Sequence, residues 1–260
     1  ARRQPGSAFK LFVYLAALRA GARPDDLVSD TPISIDGWRP ENADGRYRGL
    51  ITLRDAFAVS SNVAAVRISE VVGRSKVSDA AAELGVTSPL PDEPSLALGA
   101  GTMTLLELTA AYAAIAQGSF PVTPTGVEPA LRRKGRFGPE RALMLDLLWQ
   151  AANVGTGRQA ALAQPTFGKT GTSQDGRDAL FIGFAGDLVA GVWVGRDDND
   201  PVRGSSGGKL PAAIWRDFMG GVPLRPVNSA PTFIDRPDRE TSRAGARAER
   251  QSPQKFSGSQ

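Results

Sequence analysis

The sequence predicts an α+β protein, with an antiparallel β-sheet flanked by helices and a mostly helical subdomain. Three observations carry that prediction. Apolar residues recur at the helical period of about 3.6 residues through the first two-thirds of the chain. The period then drops to about two in short apolar runs separated by turn residues. With 260 residues and a hydrophobic content of 41%, the chain has the composition of a globular core.

Taken in order, Pro5-Gly6-Ser7 reads as a helix start, and Phe9, Phe12, Val13, Ala16 and Ala17 hold helical spacing until Gly21. Residues 23–49, rich in Asp, Pro, Gly and Asn around a short strand candidate at Ile33-Ser34-Ile35, read as an extended surface excursion. Helical pattern resumes at Thr52, pauses at Ser60-Ser61-Asn62 and continues to Gly73. Ser75 is the expected cap of Val77–Leu84, and Thr102 or Thr104 that of Leu105–Gln117. Pro139–Val154 is a further amphipathic helix. Thr166–Thr170, Ala179–Gly186 and Leu188–Arg196 then read as antiparallel strands, with turns at Gln174-Asp175-Gly176 and Gly186-Asp187. Leu210–Met219 is the last helix, stopped by Gly220-Gly221. From Pro223 the composition turns to Pro, Arg, Ser and Gln, so residues 223–260 are expected to be a disordered tail.

Composition narrows the chemistry. The chain has no cysteine and no histidine, which removes disulfides, thiolate nucleophiles, imidazole and thiolate metal sites, and every Ser-His or Cys-His machine. Any acyl-transfer or hydrolytic step must use Lys, Ser, Asp, Glu or Tyr as its base, and no metal or cofactor is expected. The net charge of +4 lies mainly in the tail, which carries seven basic and four acidic residues, so a nucleic-acid face on the body is not expected. No signal peptide or membrane helix is visible: Leu11–Leu18 is too short to span a bilayer, and Asp187 interrupts Ala179–Gly195. The chain therefore reads as soluble. It opens within a few residues of a helix start, which predicts a piece of a longer protein.

The pattern S-x-x-K occurs three times. Ser206–Lys209 lies in a glycine loop and Ser252–Lys255 in the tail, contexts that hold no hydroxyl against an amine. Ser7–Lys10 differs, because helical spacing brings the amine within reach of the hydroxyl and a helix N-terminus aims N–H groups at an oxyanion. The alternative is an ordinary helix cap beside a solvated lysine. Phe167-Gly168-Lys169-Thr170-Gly171-Thr172 is a second candidate, and with Ala163 it satisfies a relaxed nucleotide-loop pattern, so a P-loop ATPase is a remote alternative. That reading needs a glycine-rich loop and a helix opening at Lys169-Thr170, and the sequence offers neither. Gly155-Thr-Gly157-Arg-Gln-Ala160 imitates a dinucleotide fingerprint but follows a helix, and reads as a cap and connector. Ser60-Ser61-Asn62 alone is a polar break between helices. Together with the other two sites it supplies the parts a histidine-free acyl transfer requires.

Ser7-x-x-Lys10, Ser60-x-Asn62 and Lys169-Thr170-Gly171 stand in the order and spacing of the S-x-x-K, S-x-N and K-T-G elements of the penicillin-interacting serine enzymes. The flanking text PGSAFK, FVYLAAL, GKTGTSQDGRDALFIGF, LVAGVWVGRDD and GGKLPAAIWRDFM resembles the transpeptidase domain of class A, bifunctional penicillin-binding proteins over about residues 1–222. The resemblance implies the fold of penicillin-binding proteins and serine beta-lactamases, here without its first strand or strands. It also implies a DD-transpeptidase cross-linking peptidoglycan stem peptides and acylated by beta-lactams. In that reading Ser7 is the nucleophile, Lys10 its base and Ser60 a proton relay. Asn62 holds the substrate amide. Lys169, Thr170, Gly171 and Thr172 take the terminal carboxylate and the peptide strand, and the N–H groups of Ser7 and Thr172 form the oxyanion hole. The parent protein would be anchored at the periplasmic face of the inner membrane with a glycosyltransferase domain. A DD-carboxypeptidase and a non-catalytic penicillin-binding sensor are the alternatives. A beta-lactamase is disfavoured, because none of Glu70, Glu83, Glu93, Glu107, Glu128 and Glu140 has Asn four residues on.

Overall fold

The structure is a computed structural model that describes residues 1–126, 134–173, 176–202, 204, 206–225 and 256. Nine strands and seven helices are present among them. The strands are β1 (Arg2–Arg3), β2 (Leu27–Asp30), β3 (Gly49–Thr52), β4 (Met103–Thr104), β5 (Ser119–Phe120), β6 (Gly135–Arg136), β7 (Phe167–Thr172), β8 (Asp178–Ala185) and β9 (Leu188–Gly195). The helices are α1 (Lys10–Arg19), α2 (Leu53–Ala58), α3 (Asn62–Val72), α4 (Arg74–Glu83), α5 (Leu105–Gln117), α6 (Glu140–Asn153) and α7 (Leu210–Gly220).

The main sheet is antiparallel in the order β7-β8-β9, with Lys169 opposite Ile182 and Leu180 opposite Trp193. Each of the three predicted strands is present within two residues of its expected bounds. β8 is buried on both faces. Its Leu180, Ile182 and Phe184 enter the large core shared with α1, α3 and α5, while Phe181 and Ala185 pack under Trp215 and Met219 of α7. This is the period of two set against two apolar layers, so the strand reads as a continuous apolar run.

Helix α1 is buried from Lys10 to Leu18, wrapped by α3, α4 and α6. A helix covered all round needs no amphipathic stripe, and its first residue is interior despite its charge. α5 begins with a reciprocal capping box between Thr104 and Glu107, which decides for Thr104 over Thr102 as the cap.

Two local expectations change. The segment 23–49 holds the strand β2, which pairs with β3 just beyond it, and Ile33–Ile35 forms only a bridge from Ile35 to Trp38. Four-residue strands bounded by turn residues carry too little periodicity to stand out. The segment is also less superficial than its composition suggests, since Asp30 and Asn42 are buried. Helix α4 starts at Arg74 with Gly73 as its cap, one turn before the expected Val77, so Ser75 lies inside it and caps nothing. The expected turn at Gln174-Asp175 and most of the expected tail, 226–255 and 257–260, lie outside the described residues. Phe256 is buried in the core and bridges to Val28 of β2.

Candidate active site

Ser7 does not open an α-helix. Gly6–Phe9 is a single 3-10 turn that runs into α1, and the Lys10 N–H donates to the Ser7 carbonyl. At about three residues per turn, positions i and i+3 eclipse, so Ser7 and Lys10 share a face more closely than α-helical spacing would give. The turn is clamped from two sides, by α5 and by β7. The Tyr112 hydroxyl of α5 donates to the Ala8 carbonyl at 2.9 Å. Gly6 (φ 52°) lies against β7 so closely that a Cβ there would meet the Thr172 carbonyl oxygen at 2.2 Å, and a Cβ on Gly171 would meet the Pro5 carbonyl at 2.4 Å. Only backbone fits between the Ser7 turn and the Lys169–Thr172 strand.

The Ser60-Ser61-Asn62 break is a helix end and a helix start fused. The Ser61 N–H donates to the Ala56 carbonyl and the Ser60 N–H to the Phe57 carbonyl, the paired bonds of a Schellman close to α2. Ser60 occupies its left-handed position at φ 60°, where glycine is the usual residue. Ser61 then caps α3 by accepting from the Ala64 N–H at 3.0 Å. A serine held in that conformation is the kind of strain that marks functional positions.

The three sequence elements converge. Lys10 Nζ donates to the Ser60 carbonyl and to Asn62 Oδ1, both at 2.7 Å, and lies 3.3 Å from Ser60 Oγ. Lys169 Nζ donates to Ser60 Oγ at 2.9 Å and lies 3.3 Å from the Thr170 hydroxyl, which in turn is bonded to Thr156 Oγ1 at 2.8 Å. Asn62 Nδ2 donates to the Glu41 carbonyl, and Thr172 Oγ1 accepts from the Gly207 N–H. Both lysines are fully buried, while Ser7 and Ser60 are half-buried. Among the described residues Ser7 Oγ makes no hydrogen bond.

Electrostatics follow from this packing. Burial pulls Lys169 down to about 7, and its ammonium sits 5.7 Å over the Phe57 ring. Burial also drives Lys10 well below the usual lysine range. The charge of Lys169 pushes it the same way, and the carboxylate of Asp30 opposes both. Two amines on one hydroxyl cannot both stay charged in a dry site, so one is set up as a neutral base and the other as a cation near neutral pH. Among the described residues no group of three or more His, Cys, Asp or Glu side chains could hold a metal.

The decoys separate as their contexts suggested. Lys169 and Thr170 sit in the middle of β7 and open no helix, which removes the nucleotide-loop reading. Lys209 is exposed and donates to the Gly204 carbonyl, away from Ser206 Oγ. Ser252–Lys255 lies outside the described residues. The sequence reading missed Asp30 and Asn42, which bond to the Ser61-Asn62 segment, and Thr156, the partner of Thr170. Nothing in their local sequence marks them, because each acts across 14 to 31 positions of chain.

Comparison with known proteins gives the family and the fold. The family model described as the penicillin binding protein transpeptidase domain matches residues 1–220. Penicillin-binding protein 1A of Neisseria gonorrhoeae is 36% identical over 248 residues, covering 84% of this chain and 31% of that protein. The crystal structure of penicillin-binding protein 1A from Haemophilus influenzae superposes with a TM-score of 0.75 at 26% identity, over 88% of this chain and 44% of that one. Penicillin-binding protein A of M. tuberculosis, solved as an imipenem acyl-enzyme complex, gives a TM-score of 0.71 at 26% identity over 84% of this chain and 60% of that one. The chain thus spans about a third of the length of the curated relatives it matches. It belongs to the penicillin-binding protein transpeptidase domain family.

Proposed function

We propose that the chain carries the acyl-transfer site of a DD-transpeptidase that cross-links peptidoglycan stem peptides, with Ser7 as nucleophile. The observation that supports the reading is the meeting of two buried lysines on Ser60 Oγ, with Lys10 one turn of chain from the half-buried Ser7. Neutral Lys10 removes the Ser7 hydroxyl proton as Oγ attacks the carbonyl of the penultimate D-alanine. The N–H groups of Ser7 and Thr172, on the two backbone segments that abut at Gly6, are the oxyanion donors. The proton passes from Lys10 through Ser60 to the leaving nitrogen, the C–N bond breaks and D-alanine departs, leaving the Ser7 ester. The amine of a neighbouring stem peptide attacks that ester and restores the hydroxyl. Charged Lys169, with Thr170 and Thr172, holds the terminal carboxylate, and the peptide lies along β7 with Asn62 against its amide.

A beta-lactam presents the same carbonyl and carboxylate, and acylates Ser7 with its leaving nitrogen still tethered. The parent protein would work at the periplasmic face of the inner membrane, anchored there with a glycosyltransferase domain. Among the described residues no helix is long and apolar enough to cross a membrane. The description of the matching family model as a transpeptidase domain favours cross-linking over hydrolysis by a DD-carboxypeptidase or a sensing role.

The test is incubation with a fluorescent penicillin followed by denaturing electrophoresis. The unmodified chain takes a covalent label and Ser7→Ala takes none. Equal labelling of the two would sink the nucleophile assignment.

A further inference from the structure

Beneath the Ser60-Ser61-Asn62 break lies a buried polar cluster. Asp30 is fully buried, and Asn42 and Ser61 nearly so. Asn42 spends every hydrogen-bonding position of its carboxamide. Its Nδ2 donates to Asp30 Oδ1 and to the Arg46 carbonyl, both at 2.7 Å. Its Oδ1 accepts from the Asn62 N–H at 2.8 Å and the Val63 N–H at 3.2 Å. Those are the first two N–H groups of α3, which Ser61 cannot reach because its own oxygen is committed to the Ala64 N–H. Asp30 receives the Ser61 hydroxyl at 2.8 Å through Oδ1, and through Oδ2 the Arg48 N–H at 3.2 Å and the Arg48 guanidinium at 3.5 Å.

We propose that Asn42, itself oriented by Asp30, is a positioning residue for acyl transfer: it caps α3 from another segment and so fixes the turn that presents Ser60 Oγ and Asn62 Oδ1 to Lys10. This rests on the transpeptidase reading above. The cluster spans three pieces of chain, β2, the turn at Asn42–Arg46 and the start of α3, which meet beneath the Ser60-Ser61-Asn62 break. At α2 the Thr52 side chain takes the third N–H and the Asp26 and Pro24 carbonyls take the first two, whereas at α3 the first two go to a side chain, Asn42. Here a second cap holds the N–H of the residue whose side chain accepts from Lys10. Asn62 is therefore held at its N–H by Asn42, at its Nδ2 by the Glu41 carbonyl and at its Oδ1 by Lys10, which leaves it one rotamer.

The cluster also reaches the base electrically. Lys10 faces Lys169 on β7 and Asp30 on β2; the first lowers its proton affinity and the second raises it. Tyr14, on the same helix as Lys10, feels Asp30 too and stays protonated through burial and that charge.

The test uses the full chain and the second-order rate of acylation by a fluorescent penicillin. The rate is measured against pH at a temperature well below each variant's melting point. Asn42→Ala should slow acylation on the order of 10- to 100-fold, the usual effect of displacing a reacting group by a fraction of an ångström to one ångström. Asp30→Asn should move the acid limb of the pH profile to lower pH, since Lys10 then sheds its proton more readily. Asn42→Ser leaves a smaller polar group facing the two N–H donors, and should slow acylation about 5- to 10-fold should Asn42→Ala not fold. A lower melting point with unchanged rate and unchanged acid limb in the variants that fold means a purely structural cluster and overturns the proposal. An unmodified chain that takes no label overturns this reading and the transpeptidase reading together. Labelling confined to Ser7, with Asn42 variants reacting at the unmodified rate, overturns this one alone.

Discussion

Two clusters of charge, both drawn partly out of water, are treated in opposite ways. At the start of α5, Glu107 Oε1 accepts from the Thr87 N–H and hydroxyl and from the Ser88 N–H, while Oε2 accepts from the Ser88 hydroxyl and the Thr104 N–H and hydroxyl. Burial, the largest single effect, raises its proton affinity, yet these donors together hold the carboxyl well below the usual range. The lysine pair receives no comparable compensation. No carboxylate pairs with Lys10 or Lys169 among the described residues, and burial pulls both down. The lesson is that full satisfaction of a charge serves the fold, and its denial keeps a group reactive. Both lie in the same domain, so each serves as the control for the other.

The largest effect that would break this contrast is on the base. Lys10→Met should cut acylation by a beta-lactam about 10³-fold, within the range for losing a positioned proton acceptor. A rate within tenfold of the unmodified chain would show that the depressed lysine is a by-product of packing. Next comes the opposite corner. Glu107→Ala removes a charged acceptor and should cost about 3 kcal/mol in thermal or urea unfolding, with acylation by the folded protein unchanged. That contribution belongs to the ionised form, so it is present at neutral pH and fades as the pH falls below the ordinary glutamate value of 4.5.

Lys169→Met sharpens the comparison. It should weaken acylation by about 2 kcal/mol, roughly 30-fold, through loss of the carboxylate contact. It should leave the melting point equal or higher, because a buried lysine whose value has dropped from 10.5 to about 7 penalises the charged folded state. In the unmodified chain the same shift makes acylation efficiency fall as the pH rises through about 7, where Lys169 loses its proton, while stability climbs between that value and 10.5. The smallest stability change is at the strained turn. Ser60→Gly suits the left-handed position and should raise stability by about 1 kcal/mol while abolishing the proton relay. A loss of stability there would mean that Ser60's contacts to the two lysines outweigh its backbone strain.

Much of this was legible in the sequence for a physical reason. Helices with sustained periodicity, such as α5 and α6, and strands as long as β8 and β9 announce themselves through many residues at once. Ser7, Lys10, Ser60, Asn62 and Lys169 stood out as candidates because of their residue types, their order and the family that they resemble. The structure adds that Lys10 and Lys169 meet at Ser60, which no local pattern contains. Asp30 and Asn42 were hidden by the segment they occupy, where Pro, Gly and Asp read as surface and the partners lie on another element. The left-handed Ser60 was unreadable for a similar reason: a serine in a glycine position leaves no sign in composition.

The close approach of Gly6 and Gly171 to the opposing backbone has a consequence for variation. The wall where the Ser7 turn meets β7 is main chain against main chain at Gly6 and Gly171, with no room at either for a larger or more polar residue. A Cβ at either position would collide with a carbonyl oxygen at 2.2–2.4 Å. A lineage under selection for altered ligand preference has nothing to vary on that wall. It must work through side chains beyond that wall.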